Sequence, residues 1–332
     1  MANIYDVAKK AGVSVATVSR VINNERYVAP KTRALVEKAL KETGFIPNMN
    51  ASSLTKKRTN TLAVVIPDLT NPFFTDLICG IEDQAVQRKM AVIMANTDED
   101  PTKERRAIRF LMEKRVDALI IASAARNSRE ISPLLKGKTP LVLIDRQLKG
   151  LNADLVRSDD RGGAKTLVDY LVGLGHRRIG FIAGKKGIST AKSRLDGYLD
   201  AMKAHGLTPE SELIAEGDFQ QKGGREGILK LLELAEPPTA VIASNNIEAI
   251  GALSALREKG LEVPKDISLV CFDDLGLASE VYPFLTVVAQ PVRTMGTVAA
   301  QLALDRLEGI SEQEREVVMQ MTLIERKSCR RV

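Results

Sequence analysis

Three classes of structure find little support in the 332-residue sequence. Its three cysteines, Cys79, Cys271 and Cys329, are odd in number, far apart and without the spacing of metal ligands, which argues against a disulfide framework or a zinc site. No segment after Met1 has the charged start, apolar run and small-residue cleavage site of a signal peptide, and the longest apolar segments fall well short of a membrane span. We therefore expect a cytoplasmic protein.

Residues for catalysis are equally scarce. The chain has two histidines and lacks the Ser, His and Asp pattern of a nucleophilic centre. The Gly-rich string KGGREG at 222–227 lacks the Lys-Ser/Thr pair of a phosphate-binding loop. Carboxylate pairs occur at Asp159–Asp160 and Asp273–Asp274, but no matching ligand cluster accompanies them. The sequence therefore predicts neither an enzyme nor a resident metal or cofactor.

Positive charge is confined to the N-terminus. Residues 1–60 hold eleven basic and four acidic residues, a net +7; of the totals of 48 and 42, this leaves 37 and 38 for residues 61–332, a net −1. A short basic segment in front of a nearly neutral body indicates a head that binds a polyanion. With 44% hydrophobic residues, the chain is long enough for two or three domains.

The first 46 residues predict three short helices, because apolar residues recur there at helical spacing. Gly12 ends the first helix, Ser14 can cap the second, Pro30 suits the first turn of the third, and Gly44 ends it. Residues 47–60 are polar and basic, and we expect them to form a linker.

From position 61 onward, apolar strands alternate with amphipathic helices, which predicts parallel sheets covered by helices on both faces. Strand-like runs lie at 62–67, 90–95, 118–122, 141–145, 179–183, 240–244 and 268–272. The segments 158–163 and 289–293 look like crossings between two smaller sheets. We therefore expect an α/β domain of two lobes with a cleft, the N-terminal lobe spanning about 61–159 and 292–321 and the C-terminal lobe about 160–291 and 322–332.

Residues 4–23, IYDVAKKAGVSVATVSRVIN, have the pattern of a helix-turn-helix. The start of the second helix presents short side chains that can enter a major groove, where Val15 and Ala16 would pack on thymine methyl groups and Arg20 would reach guanine. Phosphate contacts are expected from Tyr5, Thr17, Ser19 and Asn23. From this pattern alone, the alternative is a plain three-helix bundle with a solvated polar face.

The string YDVAKKAGVSVATVSRVIN, followed by KTR at 31–33 and GFIPN at 44–48, closely resembles the headpiece of the lactose/galactose repressor family, and SVATVSRVINN is similar to its galactose-repressor branch. The resemblance continues through IPDLTNPFF, VDALII, LGHRRIGFI, RLDGY, VPKDISLVCFDD and AQP, and covers essentially the whole chain. It implies a transcriptional regulator, a repressor, that binds a palindromic DNA operator as a homodimer and is controlled by a small-molecule effector held in a periplasmic-binding-protein-like domain. The DNA-contacting set then includes Ser14, Lys31, Thr32 and Arg33.

The same resemblance implies that residues 48–55 form a hinge helix on operator DNA, from which Leu54 enters the minor groove at the central base step. Asn48 and Ala51 match the family before it. An isolated leucine in a basic linker has no core of its own, and the alternative is that it packs on the body of the protein. Ser52 and Ser53 replace residues common in the family, which leaves the sequence preference of the hinge open.

Polar side chains and phenylalanines follow the predicted strands at their carboxyl ends, where ligands bind in open α/β sheets. They are Asn71, Phe73, Phe74, Asp145, Arg146, Asn245, Asp273 and Gln290. Planar or bidentate hydrogen-bonding groups match sugar hydroxyls, and phenylalanine rings stack on the apolar face of a pyranose. Each residue alone also has a structural interpretation, such as a strand-end ion pair or a helix cap, but their convergence favours a binding site.

These residues match those by which the similar ribose-type periplasmic proteins hold a monosaccharide, and this resemblance adds Arg194 and Phe219. An aromatic residue follows the corresponding Asp in the purine repressor, where this chain has Arg146, so we expect a sugar such as ribose rather than a nucleobase. The alternatives are a purine-responsive regulator and a catabolite-control type that responds to a phosphorylated carrier protein. A free sugar-transport protein would share the fold of 61–332 but would need a signal peptide and no basic headpiece.

Overall fold

The protein is described by a computed structural model that covers residues 2–22, 28–45, 58–135, 137, 139–311 and 313–332. It divides into two compact units, residues 1–59 and residues 60–332. The expected fold class, a small helical headpiece and an α/β domain with largely parallel sheets, is confirmed. Within these ranges, no helix combines the length and the apolar character needed to cross a membrane.

The headpiece consists of helices α1 (Ile4–Ala11), α2 (Val15–Ile22) and α3 (Pro30–Thr43). Helix α1 begins at a capping box, in which the side chains of Asn3 and Asp6 accept hydrogen bonds from each other's backbone amides. It ends at Gly12, whose φ of +67° is a left-handed conformation that glycine adopts without steric cost. The three helices enclose a core of Val7, Ala8, Ala11, Val18, Val21, Val36 and Ala39.

The first lobe of the larger unit is built on a six-stranded parallel sheet. Its strands, in spatial order, are β11 (Glu316–Met319), β5 (Asp154–Ser158), β4 (Leu141–Ile144), β3 (Ala118–Ile121), β1 (Thr61–Ile66) and β2 (Ala91–Asn96). Helices α4 (Pro72–Gln87) and α11 (Val292–Leu307) cover one face, and α5 (Pro101–Glu113) covers the other. Both faces of the sheet are therefore buried, which explains the continuous apolar runs of its central strands.

The second lobe repeats this plan. Its strands, in spatial order, are β12 (Thr322–Ile324), β10 (Thr286–Ala289), β9 (Ser268–Phe272), β8 (Ala240–Ala243), β6 (Ile179–Lys185) and β7 (Ile214–Gly217), with only the β10–β12 pair antiparallel. Helices α6 (Asp160–Gly173) and α7 (Ser189–Ala204) cover one face, and α8 (Gln221–Leu232) and α9 (Asn246–Glu258) the other. Short elements complete the unit: α10 (Leu277–Val281) and the 3₁₀ turns Ser128–Glu130, Ser132–Leu134 and Ser211–Leu213.

Five strands, β5, β7, β10, β11 and β12, lie outside the seven apolar runs from which the others are predicted. Strand β11 lies at a sheet edge with alternate residues exposed, and β12 has three residues. Arg157 in β5 donates from Nε to Glu316 Oε1 in β11 at 2.6 Å. Backbone pairing and such cross-strand contacts, rather than apolar composition, place these strands.

Helices α4 and α11 approach each other through glycines. A Cβ on Gly80 would lie 2.1 Å from the Arg293 carbonyl oxygen, and a Cβ on Gly296 would lie 2.1 Å from that of Leu77. Larger residues at these positions would push the helices apart. This close packing fixes the start of α4, where two of the predicted site phenylalanines lie.

Candidate functional site

The headpiece presents part of the predicted DNA-reading face to solvent. Tyr5 is 71% exposed, and Ser14, Ala16, Arg20 and Lys31 are also exposed. The half-buried members of the predicted set are Val15, Thr17, Ser19, Thr32 and Arg33. A polar and basic surface with short side chains on α2 is thus available for contact with DNA.

Two predicted DNA contacts also have roles within the headpiece. Ser14 Oγ accepts from the Thr17 amide at 3.2 Å and lies 2.9 Å from Thr17 Oγ1, so it contributes to the start of α2. Val15 packs against the headpiece core instead of projecting freely, because the first turn of α2 turns one face inward. The predicted hinge at 48–55 lies outside the described residues. So do four further predicted DNA contacts: Asn23, Asn48, Ala51 and Leu54.

The larger unit contains a cleft between its two lobes at the carboxyl ends of the strands. Nine of the ten predicted effector contacts line it: Asn71, Phe73, Phe74, Asp145, Arg146, Arg194, Phe219, Asn245 and Asp273. All nine are between 3% and 7% exposed. The space not filled by protein atoms, including the open mouth of the cleft, is about 380 Å³.

Two aspartates enter the cleft from equivalent positions, one in each lobe. Asp145 directly follows β4 and Asp273 directly follows β9, and their φ angles are +64° and +65°. The left-handed conformation is costly for residues other than glycine, although Asp tolerates it better than most. Backbone strain of this kind is typical of functional sites, and here it turns both carboxylates toward the cavity.

Arg194 is held in the second lobe by carboxylates on two elements. Its Nε donates to Asp160 Oδ1 at 2.7 Å, its Nη1 donates to the Ser244 carbonyl at 2.5 Å, and Nη1 lies 3.6 Å from Asp273 Oδ2. The guanidinium also stacks over the Phe272 ring, 4.4 Å from its centroid. Arg194 is therefore fixed and neutralised before any ligand binds.

Arg146 is held in the first lobe in a similar way. Its Nη1 and Nη2 donate to both carboxylate oxygens of Glu99, at 3.0 and 2.5 Å, and Nη1 also donates to the Ser123 carbonyl at 3.0 Å. Its Nε lies 3.6 Å from Asp145 Oδ2 and, although it is buried, has no hydrogen-bond partner among the described residues. Burial lowers the pKa of Arg146, but Glu99, Asp145 and Glu104 together more than offset this and the net shift is upward. The unpartnered N–H is a donor available to a ligand.

Phe219 forms a wall of the cleft in a conformation imposed by its neighbours. Its φ is +67°, its amide donates to Glu248 Oε1 at 2.9 Å, and its carbonyl accepts from Asn245 Nδ2 at 3.0 Å. A Cβ on Gly184 would lie 2.1 Å from the Phe219 ring, so the ring sits where only glycine leaves room. Asn245 also caps α9 by accepting from the Glu248 amide at 2.8 Å, so it serves the local structure as well as the cavity.

Gln290 is buried but is not among the residues that line the cleft. Its Nε2 donates to Asp273 Oδ1 at 2.7 Å, so it orients that carboxylate. Four lining residues were not predicted: Asp68, Glu99, Thr190 and Gln220. Asp68 and Glu99 follow β1 and β2, and the strand-end rule applied to every strand would have included them. Thr190 lies in the first turn of α7 and Gln220 directly precedes α8, so the strand-end rule does not point to either of them.

Hydrogen bonds join the lobes across the cleft. Asn246 Nδ2 donates to Asn71 Oδ1 at 3.1 Å, Gln220 Nε2 to Asp68 Oδ2 at 3.3 Å, Lys185 Nζ to the Glu99 carbonyl at 2.5 Å, and the Gln147 amide to Ser189 Oγ at 2.8 Å. The guanidinium of Arg146 also lies 5.6 Å from the centroid of the Phe219 ring in the opposite lobe. The cleft is therefore closed in this structure.

Carboxylates outnumber cations in this closed space. Asp145 is surrounded by Arg146 and Arg194 but also by Asp160 and Asp273, and burial raises its pKa to about 7, the two arginines offsetting part of the rise. Burial likewise raises the pKa of Asp160 and of Asp273. Burial therefore disfavours the ionised form of Asp145.

We expect Asp145→Asn to change the pH dependence of stability. An acid whose pKa rises from 3.8 to about 7 on folding stabilises the fold below its unfolded pKa, and that stability is lost as pH rises through 7. The uncharged amide has no such loss, so the free energy of unfolding of the variant relative to wild type should rise by roughly 1–3 kcal/mol from pH 5 to pH 8. Urea unfolding of both proteins at several pH values measures this.

The matched control for that experiment is Asp200→Asn, which removes an exposed carboxylate paired with Arg161 outside the cleft. Its stability should run parallel to that of wild type between pH 5 and 8. If the stability of Asp145→Asn also runs parallel to that of wild type, the pKa of Asp145 is not raised by folding and the prediction is wrong.

Two family models match the chain. One, described as bacterial regulatory proteins of the lacI family, matches residues 3–48, and the other, described as a periplasmic binding protein-like domain, matches residues 168–329. The first match covers the headpiece and the second covers most of the second lobe. The resemblance found in the sequence motifs thus extends to both units.

Individual relatives match over the full length. The ribose operon repressor of Escherichia coli (strain K12) is 35% identical over 331 residues, 99% of this chain and 100% of the relative. The lac repressor dimer bound to operator and the anti-inducer ONPF is similar in structure, with a TM-score of 0.86 and 28% identity over 98% of each chain. A LacI family transcriptional regulator from Enterococcus faecium with bound ribose has a TM-score of 0.73 and 28% identity, covering 82% of this chain and 99% of its own.

Proposed function

The chain belongs to the LacI family of bacterial regulatory proteins, as a DNA-binding transcriptional regulator, and we propose that its effector is a neutral monosaccharide such as D-ribose. We further propose that it binds a palindromic operator as a homodimer in the bacterial cytoplasm. The single observation that carries the effector proposal is the pairing of both cleft guanidiniums with carboxylates of the protein.

A neutral ligand follows from the charges around the cleft. Arg146, Arg194 and Lys185 face the carboxylates of Glu99, Asp145, Asp160, Asp273 and Asp68. An anion would find no unneutralised cation there and would meet excess negative potential. A polyhydroxy compound can accept from the Arg146 Nε–H and donate to the carboxylates, and the phenylalanine rings offer apolar walls.

A sugar is favoured over a nucleobase by the position after Asp145. A flat aromatic side chain there would stack on a base, whereas Arg146 supplies directional donors and is held by two hydrogen bonds to Glu99. The relatives with ribose in their names or bound in their structures support the same choice. Ribose or a close analogue is therefore the first ligand to test.

Exposed apolar residues support a dimer. Ile93 and Met94 on the edge strand β2 are 41% and 38% exposed, and Leu277, Val281 and Tyr282 around α10 are 87%, 87% and 68% exposed. Clusters of this kind are typical of protein–protein contacts. A second copy of the chain would cover them and would bring two recognition helices to the half-sites of a palindrome. The similar lac repressor is a dimer bound to operator.

The effector proposal predicts that D-ribose stabilises the protein and that Asp273→Asn abolishes this effect. A ligand that binds the folded state at 100 times its Kd adds about 2.7 kcal/mol to the free energy of unfolding. The variant keeps the shape of the side chain but loses the charge that faces Arg194. A thermal-shift screen with D-ribose, other neutral monosaccharides, adenine and guanine measures the response.

Asp200→Asn is again the control, and it should respond like wild type. A response to a purine base and to none of the sugars would replace the proposal with the purine alternative. An undiminished sugar response in folded Asp273→Asn would contradict the placement of the ligand.

The DNA-binding proposal predicts a division of labour in the headpiece. Arg20→Ala should cost about 1–3 kcal/mol and relax specificity at one base pair per half-site, because a bidentate contact with guanine is lost. Lys31→Ala should weaken binding to all sequences alike, because a phosphate contact carries no sequence information. Selection from random DNA followed by fluorescence anisotropy tests both, with a near-palindrome as the expected operator. Unchanged sequence preference in Arg20→Ala would show that α2 reads DNA through other residues.

A further inference from the structure

Glu99 lies between cations that belong to different lobes. It holds Arg146 of the first lobe through two hydrogen bonds, at 3.0 and 2.5 Å. Lys185 of the second lobe donates to its backbone carbonyl at 2.5 Å, and the Lys185 Nζ lies 3.6 Å from Glu99 Oε2. One carboxylate thus neutralises a guanidinium and an ammonium that meet across the cleft.

The backbone around Glu99 is fixed in an unusual conformation. Asp98 and Glu99 have φ angles of +51° and +56°, which place two successive non-glycine residues in the left-handed region. The Glu99 amide donates to the Pro67 carbonyl at 2.9 Å, which ties the turn to the end of β1. The Glu99 side chain is 9% exposed and lines the cavity. The turn therefore delivers the carboxylate to a defined place in the cleft.

Each cleft arginine has one hydrogen-bonded carboxylate and a second carboxylate at 3.6 Å. For Arg194 these are Asp160, at 2.7 Å, and Asp273. Arg146 has its hydrogen-bonded carboxylate in Glu99 alone among the described residues, with Asp145 at 3.6 Å from Nε. Loss of Glu99 would thus leave Arg146 and Lys185 facing each other across the space that the carboxylate had filled.

We propose that Glu99 is the specificity-determining residue that restricts this cleft to neutral ligands, by occupying the one place where an anion could bridge the two lobes. This inference rests on the proposed function, since it explains why the effector carries no phosphate or carboxylate. In the absence of Glu99, a small oxyanion takes the position of its carboxylate and accepts from the planar donors of Arg146 and from Lys185. Arginine is well suited to such bidentate contact.

The test uses Glu99→Ala and Glu99→Gln in the full-length protein, with inorganic phosphate and acetate as probes. Thermal unfolding is followed against anion concentration at constant ionic strength, with chloride as the balancing ion. Glu316→Ala is the matched control, because it removes a carboxylate from an arginine pair on the protein surface, outside the cleft.

We expect Glu99→Ala to bind phosphate and acetate at least about tenfold more tightly than wild type or Glu316→Ala, since Lys185 and Arg146 then lose the carboxylate between them and Arg146 keeps the more distant Asp145. Glu99→Gln, which keeps the side-chain shape, should show a smaller gain in the same direction and covers the case in which Glu99→Ala does not fold. A folded Glu99 variant without an anion response, or a wild-type protein that binds phosphate equally well, would overturn the inference. Failure of wild type to bind D-ribose would bear on the proposed effector and not on this result, because no sugar is used here.

Discussion

Burial of two guanidinium groups in one cleft constrains the rest of the effector domain. Removing a charged group from water costs several kcal/mol unless carboxylates and hydrogen bonds replace the solvent. Arg194 meets this requirement through Asp160, Asp273 and the Ser244 carbonyl, and Arg146 meets it through Glu99 and the Ser123 carbonyl. The cleft is thus a preorganised polar network in which the remaining free donors and acceptors define the ligand.

The network also determines how the lobes meet. Its members come from both lobes, several of them from strand ends, and further contacts, such as Asn246 with Asn71 and Lys185 with Glu99, close the cleft around them. A ligand in the cavity therefore touches both lobes, and any preference it has for the closed arrangement shifts the balance between closed and open forms. Strained residues such as Asp145 and Phe219 are kept in place by these same bonds.

Much of this arrangement could be predicted from the sequence, because a general rule places ligands at the carboxyl ends of parallel strands. That rule and the family resemblance led to nine lining residues, including Arg194 and Phe219, which the resemblance alone supplied. Glu99 follows β2, so the strand-end rule applied to that strand would have included it, but no local pattern records its pairing with Arg146. Gln290 lies at the strand end where it was predicted. Its side chain, however, donates a hydrogen bond to Asp273 instead of lining the cavity, and the sequence pattern does not record that direction.

The central claim is that a ligand in this cleft controls how tightly the headpiece holds DNA. The most direct test is a pair of titrations: operator affinity measured with and without saturating D-ribose, and D-ribose affinity measured with and without operator. Coupling between two sites is reciprocal, so both ratios should be equal and should differ from one by roughly 5- to 150-fold. A protein that binds both partners, each with an affinity unaffected by the other, would contradict the account.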